Sequence, residues 1–171
     1  PFLHPHHTIS RQALAGGGRI PRPGILSLSH RGILFLDELP EFGRENVEVL
    51  RQPLEDKEVQ IARNYGSITY PADIMLVAAM NPCPCGFYPD RERCTCTESE
   101  IRKYRSRISG PIYDRIDICV EAKAIELEQL QKEEQGQSSK ELKCQVMKAR
   151  KIQEERYRHS PYFFNADLDT K

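Results

Sequence analysis

A short apolar run, Ile33-Leu34-Phe35-Leu36, ends in two adjacent acids, Asp37 and Glu38. A strand that delivers two carboxylates in succession can hold a metal–nucleotide. The aspartate contributes to the shell of Mg²⁺, and the glutamate polarises a water for attack on the terminal phosphate. The same dipeptide also serves as a helix cap or a solvated pair after any strand. A second apolar run, Ile74 to Met80, closes on Asn81-Pro82. The Asn81 amide can orient a water or touch a phosphate, and Asn-Pro equally marks a plain turn. Arg115, just before a third apolar stretch, can stabilise the charge of phosphoryl transfer in a neighbouring subunit. Its bland alternative is a local ion pair with Asp114 or Asp117.

Cysteines supply a second chemistry. Cys83-x-Cys85 and Cys94-x-Cys96 place four thiols in one Pro- and Gly-rich loop, while Cys119 and Cys144 stand apart. Four thiolates suit tetrahedral Zn²⁺, although the one-residue spacing is tighter than usual. Disulfides or free thiols are the alternatives. The opening Pro1-Phe2-Leu3-His4 has no signal-peptide pattern. A metal cluster in a reducing cytoplasm therefore fits better than a secreted disulfide scaffold. Arg91, Arg93, Arg102, Lys103, Arg105 and Arg107 outnumber Glu92, Glu98 and Glu100, with Tyr104 among them. Such a stretch can touch a DNA backbone, or it can be a solvated helix face or a subunit contact. His4, His6 and His7 read as loop residues, and Cys119 as a buried strand thiol.

The elements that must position these groups follow from pattern. Residues 33–36, 74–80 and 116–120 read as short strands, the first two buried on both faces as in a parallel sheet. Residues 44–54 read as a helix that Pro53 ends or kinks. Residues 58–62 and 67–70 alternate around Asn64-Tyr65-Gly66, which predicts a β-hairpin. Residues 16–24 and 82–98 read as loops, 101–109 and 141–158 as helices, and 136–139 as a linker. The fold class is α/β with a parallel sheet. Ligands of such sheets bind at the carboxyl ends of the strands, so Asp37, Glu38 and Asn81 should line one sheet edge.

The chain has 171 residues, 39% of them hydrophobic and 29% charged, with 25 basic against 25 acidic side chains. That suits one globular domain, or one and part of another, and excludes wholesale disorder or a uniformly basic coat protein. No apolar run approaches the roughly 18 residues of a membrane span, so no membrane partner is expected.

Taken together, the motifs resemble those of the magnesium-chelatase-like AAA+ ATPases. The matching stretches are Arg31 to Phe42, Pro5-His6-His7-Thr8, Gly16-Gly17-Gly18 through Pro21-Arg22-Pro23-Gly24, Arg51-Gln52-Pro53-Leu54-Glu55, Val77 to Gly86, and Tyr104-Arg105-Ser106-Arg107 leading to Asp114-Arg115-Ile116-Asp117. The ComM/YifB-type branch, whose members resemble DNA branch-migration helicases, is most similar.

The resemblance implies a P-loop NTPase core over residues 1–122, with a Cys-rich insertion at 82–98, and a linker with part of a helical lid over 123–171. It makes Asp37 and Glu38 the Walker B pair, Asn81 sensor 1, and Arg115 the arginine finger. It makes the hairpin the pre-sensor-1 hairpin and residues 16–24 a pore-facing insert. It implies ATP and Mg²⁺, a homo-oligomeric ring (a hexamer), DNA as partner, and a cytoplasmic motor. The alternatives are the ATPase subunit of a magnesium-chelatase-type complex and a non-catalytic, zinc-stabilised assembly module.

No Gly-x-x-x-x-Gly-Lys-Ser/Thr loop is present. With no initiating Met either, the expectation is a fragment of an ATPase domain. Such a fragment alone would neither grip ATP tightly nor hydrolyse it.

Overall fold

The computed structural model describes residues 1–63, 66–122 and 136–168. The chain forms two compact units, residues 1–116 and 117–171. The first is built on a parallel sheet of β1 (Phe2–Leu3), β4 (Ile33–Leu36) and β7 (Met75–Ala78), in the order β1-β4-β7. Between β1 and β4 run α1 (Arg11–Ala15), a two-stranded hairpin of β2 (Gly16–Gly17) with β3 (Arg22–Pro23), and α2 (Ile25–Leu28). After β4 come a 3₁₀ turn (Leu39–Phe42), α3 (Arg44–Glu48) and α4 (Arg51–Asp56). The antiparallel hairpin of β5 (Glu58–Arg63) and β6 (Gly66–Pro71) then leads into β7. Beyond the Cys-rich loop lie α5 (Glu98–Arg105) and α6 (Gly110–Tyr113).

Leu34 and Leu36 project from β4 into the core, where Leu14, Leu26, Val47, Leu50, Ile108 and Ile112 are also buried. Val59 and Ile61, at alternate positions of β5, join that core, which is the period-2 alternation expected of a half-buried strand. The hairpin lies where the alternation placed it; its turn residues 64–65 lie outside the described residues.

Five sequence expectations need correction, four of them on secondary structure and strand burial and the fifth on the burial of Cys119. Residues 116–120 form no strand; Ile118 and Val120 are exposed, and the third strand of the sheet is Phe2–Leu3 instead. β7 is not buried on both faces. It pairs only with β4 among the described residues, and on one of its faces Met75 is 60% and Val77 42% exposed. The helix expected over 44–54 is two short helices broken at Val49-Leu50, with Pro53 buried inside the second. Residues 16–24 are not simply loop, because the β2–β3 hairpin stands there.

In the second unit, α7 (Ser139–Tyr157) starts with a capping box between Ser138 and Glu141. The Tyr157 hydroxyl donates to Asn165 Oδ1 at 2.8 Å, and the Tyr157 and Tyr162 rings meet edge-on. Cys144 lies exposed on α7, and Cys119 is exposed rather than buried. Among the described residues, no helix is long and apolar enough to cross a membrane.

Gly24 sits where α1, β2 and α2 converge. A Cβ there would collide with backbone atoms of Leu14, Ala15 and Gly16. Backbone cannot rotate away as a side chain can. Gly24→Ala is therefore expected to lower stability by about 1–3 kcal/mol, seen as a lower denaturation midpoint in urea at unchanged slope.

Candidate functional site

The site begins with strand register. β4 and β7 run parallel with Ile33 opposite Met75 and Leu36 opposite Ala78. The ladder continues past both ends: Ala79 N–H donates to Leu36 O at 3.0 Å and Leu39 N–H to Ala79 O at 2.9 Å. Parallel strands in register finish together, so the chain following each emerges at the same carboxyl edge. That puts Asp37 and Glu38 at the edge where Asn81 follows, and all three are exposed.

Glu38 has φ 52° and ψ 46°, the left-handed region. For a residue with a Cβ this costs about 1–2 kcal/mol, and such strain concentrates at functional sites. The Glu38 N–H donates to Asp37 Oδ1 at 2.9 Å, which ties the two acids together. The other Asp37 oxygen remains for a cation or water.

Glu38 Oε2 lies 3.5 Å from His7 Nδ1. The His7 ring lies 4.1 Å from His6 and edge-on to Phe42 at 6.4 Å, between ring centroids. Sequence reasoning left His7 in a loop. Its signal in the sequence was the Pro5-His6-His7-Thr8 stretch, and the contact with Glu38 arises because β1 runs parallel beside β4 and carries the following residues to the same edge.

Arg115 is not joined to the Asp37 corner. It donates to Glu55 Oε1 at 2.7 Å, a partner 60 residues away rather than Asp114 or Asp117. Arg51 donates to the same oxygen at 3.2 Å. The Arg51 hydrogen bond, with the Arg115 charge behind it, holds the Glu55 carboxyl below its usual 4.5 against the opposing effect of burial. Arg107 does reach the corner: it lies 2.9 Å from Glu41 and donates to Pro40 O at 3.3 Å.

The four thiols form a compact cluster. All four sulfurs lie within 4.8 Å of one another. Cys83–Cys85 is 3.4 Å, Cys83–Cys94 3.8 Å and Cys85–Cys94 3.6 Å. Gly86, at φ 83°, turns the chain tightly after Cys85. The Tyr88 N–H then donates to Cys83 Sγ at 3.4 Å. Backbone N–H groups, that of Phe87 first, lower Cys85 to about 6, whereas burial first of all and neighbouring thiols push Cys96 up to about 12. Four sulfurs this close cannot all be ionised without a cation among them.

A separate cleft of about 400 Å³, lined by Arg11, Gln12, Val59 and Ile61, holds none of these groups.

The family model for magnesium chelatase, subunit ChlI, matches residues 1–130 and so takes in both the acidic corner and the thiol cluster. The chain belongs to this magnesium-chelatase family. Its chelatase-family relatives include competence protein ComM of Haemophilus influenzae, 46% identical over 157 residues, which is 91% of this chain and 31% of that one. YifB of Escherichia coli is 46% identical over 154 residues, covering 90% and 30%. The magnesium-chelatase 38 kDa subunit of Acidiphilium rubrum is 29% identical over 112 residues, covering 66% and 26%. The chain thus spans about a third of the length of the ComM and YifB proteins it matches. An α/β core with a parallel sheet, of AAA+ type, is the architecture of this chelatase-family chain.

Glu55 should titrate below 4.5 by NMR, and Arg51→Ala should move it back up. A depressed carboxylate stabilises the fold above its unfolded value and loses that contribution as pH falls through the folded one. In the chain by itself, the Arg115–Glu55 pair is therefore expected to be intact at neutral pH and to weaken as Glu55 is protonated in acid. An unshifted Glu55 would rule the pair out in solution.

Proposed function

We propose that this chain is part of an AAA+ ATPase that couples ATP hydrolysis to remodelling of DNA. The observation that carries it is the convergence of Asp37, Glu38 and Asn81 at one sheet edge, in a chain of the chelatase family. The hard oxygen donors of Asp37 and Glu38 fit Mg²⁺, which takes one or two carboxylates alongside substrate phosphates. When bound with ATP, Mg²⁺ would neutralise charge on the phosphates. Asp37, its Oδ1 accepting from the Glu38 N–H, would offer that cation its second oxygen. Glu38 accepts a proton from the attacking water, and Asn81 orients that water or the terminal phosphate.

Arg115 acts in trans as the finger of a ring, a hexamer, once Glu55 releases it. Its exposed position in the first unit and its reach of long flexible side chain support that role. The four thiolates take Zn²⁺, and the compartment is the cytoplasm, where thiols stay reduced.

DNA rests on the likeness to ComM and YifB more than on the basic stretch. Arg91 is paired with Glu98, Arg102 with Glu98 O, Arg105 with Pro82 O and Arg107 with Glu41, so most of these charges already serve internal contacts. The β5–β6 hairpin, with Ile68 exposed, is the better candidate to engage a strand.

The test is ATP hydrolysis by the full-length parent with and without forked or four-way DNA. Hydrolysis should rise with DNA. Glu38→Gln should lower kcat about 10²–10⁴-fold, and Arg115→Ala about 10³–10⁵-fold, with nucleotide still bound. Hydrolysis indifferent to DNA would favour a chelatase-type motor. A Glu38→Gln protein as active as wild type would overturn the role assigned to Glu38, and no hydrolysis by the wild type under any condition would overturn the ATPase assignment.

A further inference from the structure

We infer that the Cys83/Cys85/Cys94/Cys96 cluster is a single-ion zinc site that positions Asn81, so that metal occupancy sets the geometry of one corner of the nucleotide site. The Asn81 role rests on the ATPase reading above; the metal site and its mechanical coupling do not.

The sulfur spacing selects one ion over a cluster. A Zn–S bond of about 2.3 Å in a tetrahedron gives an S–S edge of about 3.8 Å. The cluster's 3.4, 3.8 and 3.6 Å separations match that edge. A core of several iron and sulfide atoms would hold the thiolates farther apart than one tetrahedral edge. The Tyr88 N–H aimed at Cys83 is outer support of the kind that thiolate ligands need.

The coupling follows from what lies on each side of the cluster. Cys83 is fully buried and stands two residues after Asn81. Cys96 immediately precedes Thr97, which opens α5 with a reciprocal capping box to Glu100. A metal joining Cys83 and Cys85 to Cys94 and Cys96 therefore ties the end of the β7 segment to the start of α5.

Helix α5 returns the constraint. Its buried Tyr104 has its hydroxyl beside the Asn81 N–H. Arg105 donates to Pro82 O at 3.1 Å and lies over the Tyr88 ring, 5.0 Å from its centroid. Arg107, two residues on, holds Pro40 and Glu41 behind the acidic corner. Asn81 is thus held between the metal loop and the helix that the loop anchors. Without the metal, the segment of residues 82–97 is held by local turn hydrogen bonds such as Cys94 N–H to Asp90 O, by the Arg91–Glu98 pair and by aromatic–Arg contacts, and little of it besides Cys83 is buried.

The test uses metal analysis and hydrogen exchange on the reduced protein, with no nucleotide present. About one zinc per chain is expected. Cys94→Ser should release it and speed amide exchange over residues 79–83 and 98–107 roughly tenfold or more, while the β5–β6 hairpin stays protected. Arg105→Gln keeps all four thiols. It should retain zinc yet loosen residues 79–83 by about tenfold, and it decides the matter should Cys94→Ser fail to fold. Absence of zinc, a Cys83–Cys94 disulfide, or zinc loss with unchanged exchange at Asn81 would each overturn the inference. Because neither readout needs ATP, a parent without ATPase activity would leave this result standing and remove only the role assigned to Asn81.

Discussion

The in-register parallel pairing of β4 with β7 is the constraint on which the rest depends. Leu36 and Ala78 end opposite each other, and two further backbone hydrogen bonds carry the alignment past the strands. A slip of one residue would turn Leu34 and Leu36 out of the core, so burial and register enforce each other. The polar residues that follow are then brought to one edge without any side-chain contact between the two segments. Glu38 takes a left-handed backbone there because the chain must turn sharply into the 3₁₀ turn, where Leu39, Pro40 and Phe42 are buried.

A second layer of restraint surrounds that edge. Tyr104, Arg105 and Arg107 come from one helix and its following turn; Tyr104 and Arg105 lie against Asn81-Pro82, and Arg107 holds Pro40. The helix is short and begins just after a loop rich in Pro and Cys. Its position is secured locally by the Thr97–Glu100 capping box and by burial of Ile101 and Tyr104. The basic residues that look from the sequence like a nucleic-acid face are largely engaged in these internal contacts. Net local charge alone does not reveal whether an arginine faces outward or serves the fold.

How much was legible depends on range. The run Ile33–Leu36 ending in Asp37-Glu38, the hairpin alternation around Val59 and Ile61, and the clustering of Cys83, Cys85, Cys94 and Cys96 are local patterns, and local patterns survive folding. The helix over 44–54 was overstated because apolar spacing at Val47, Leu50 and Leu54 continues across a break at Val49-Leu50. Residues 116–120 show the same weakness from the other side. An apolar stretch satisfies strand propensity, but a strand needs a partner, and residues 116–120 pair with no strand among the described residues. The contacts of His7 with Glu38 and of Arg115 with Glu55 had no local signature.

By itself, then, the sequence determined which chemistries are available: paired carboxylates and an amide after apolar runs, and four thiols in one loop. It also determined the family, since ordered motifs are a property of the chain. Only the tertiary structure decided which groups meet. Strand pairing chose β1 as the third strand and β7 as an edge, packing exposed Met75 and Val77, and a long-range ion pair held Arg115 on Glu55. The physical reason is that residue type and short spacing set local conformation, whereas pairing and burial are contests among distant segments that no local window can judge.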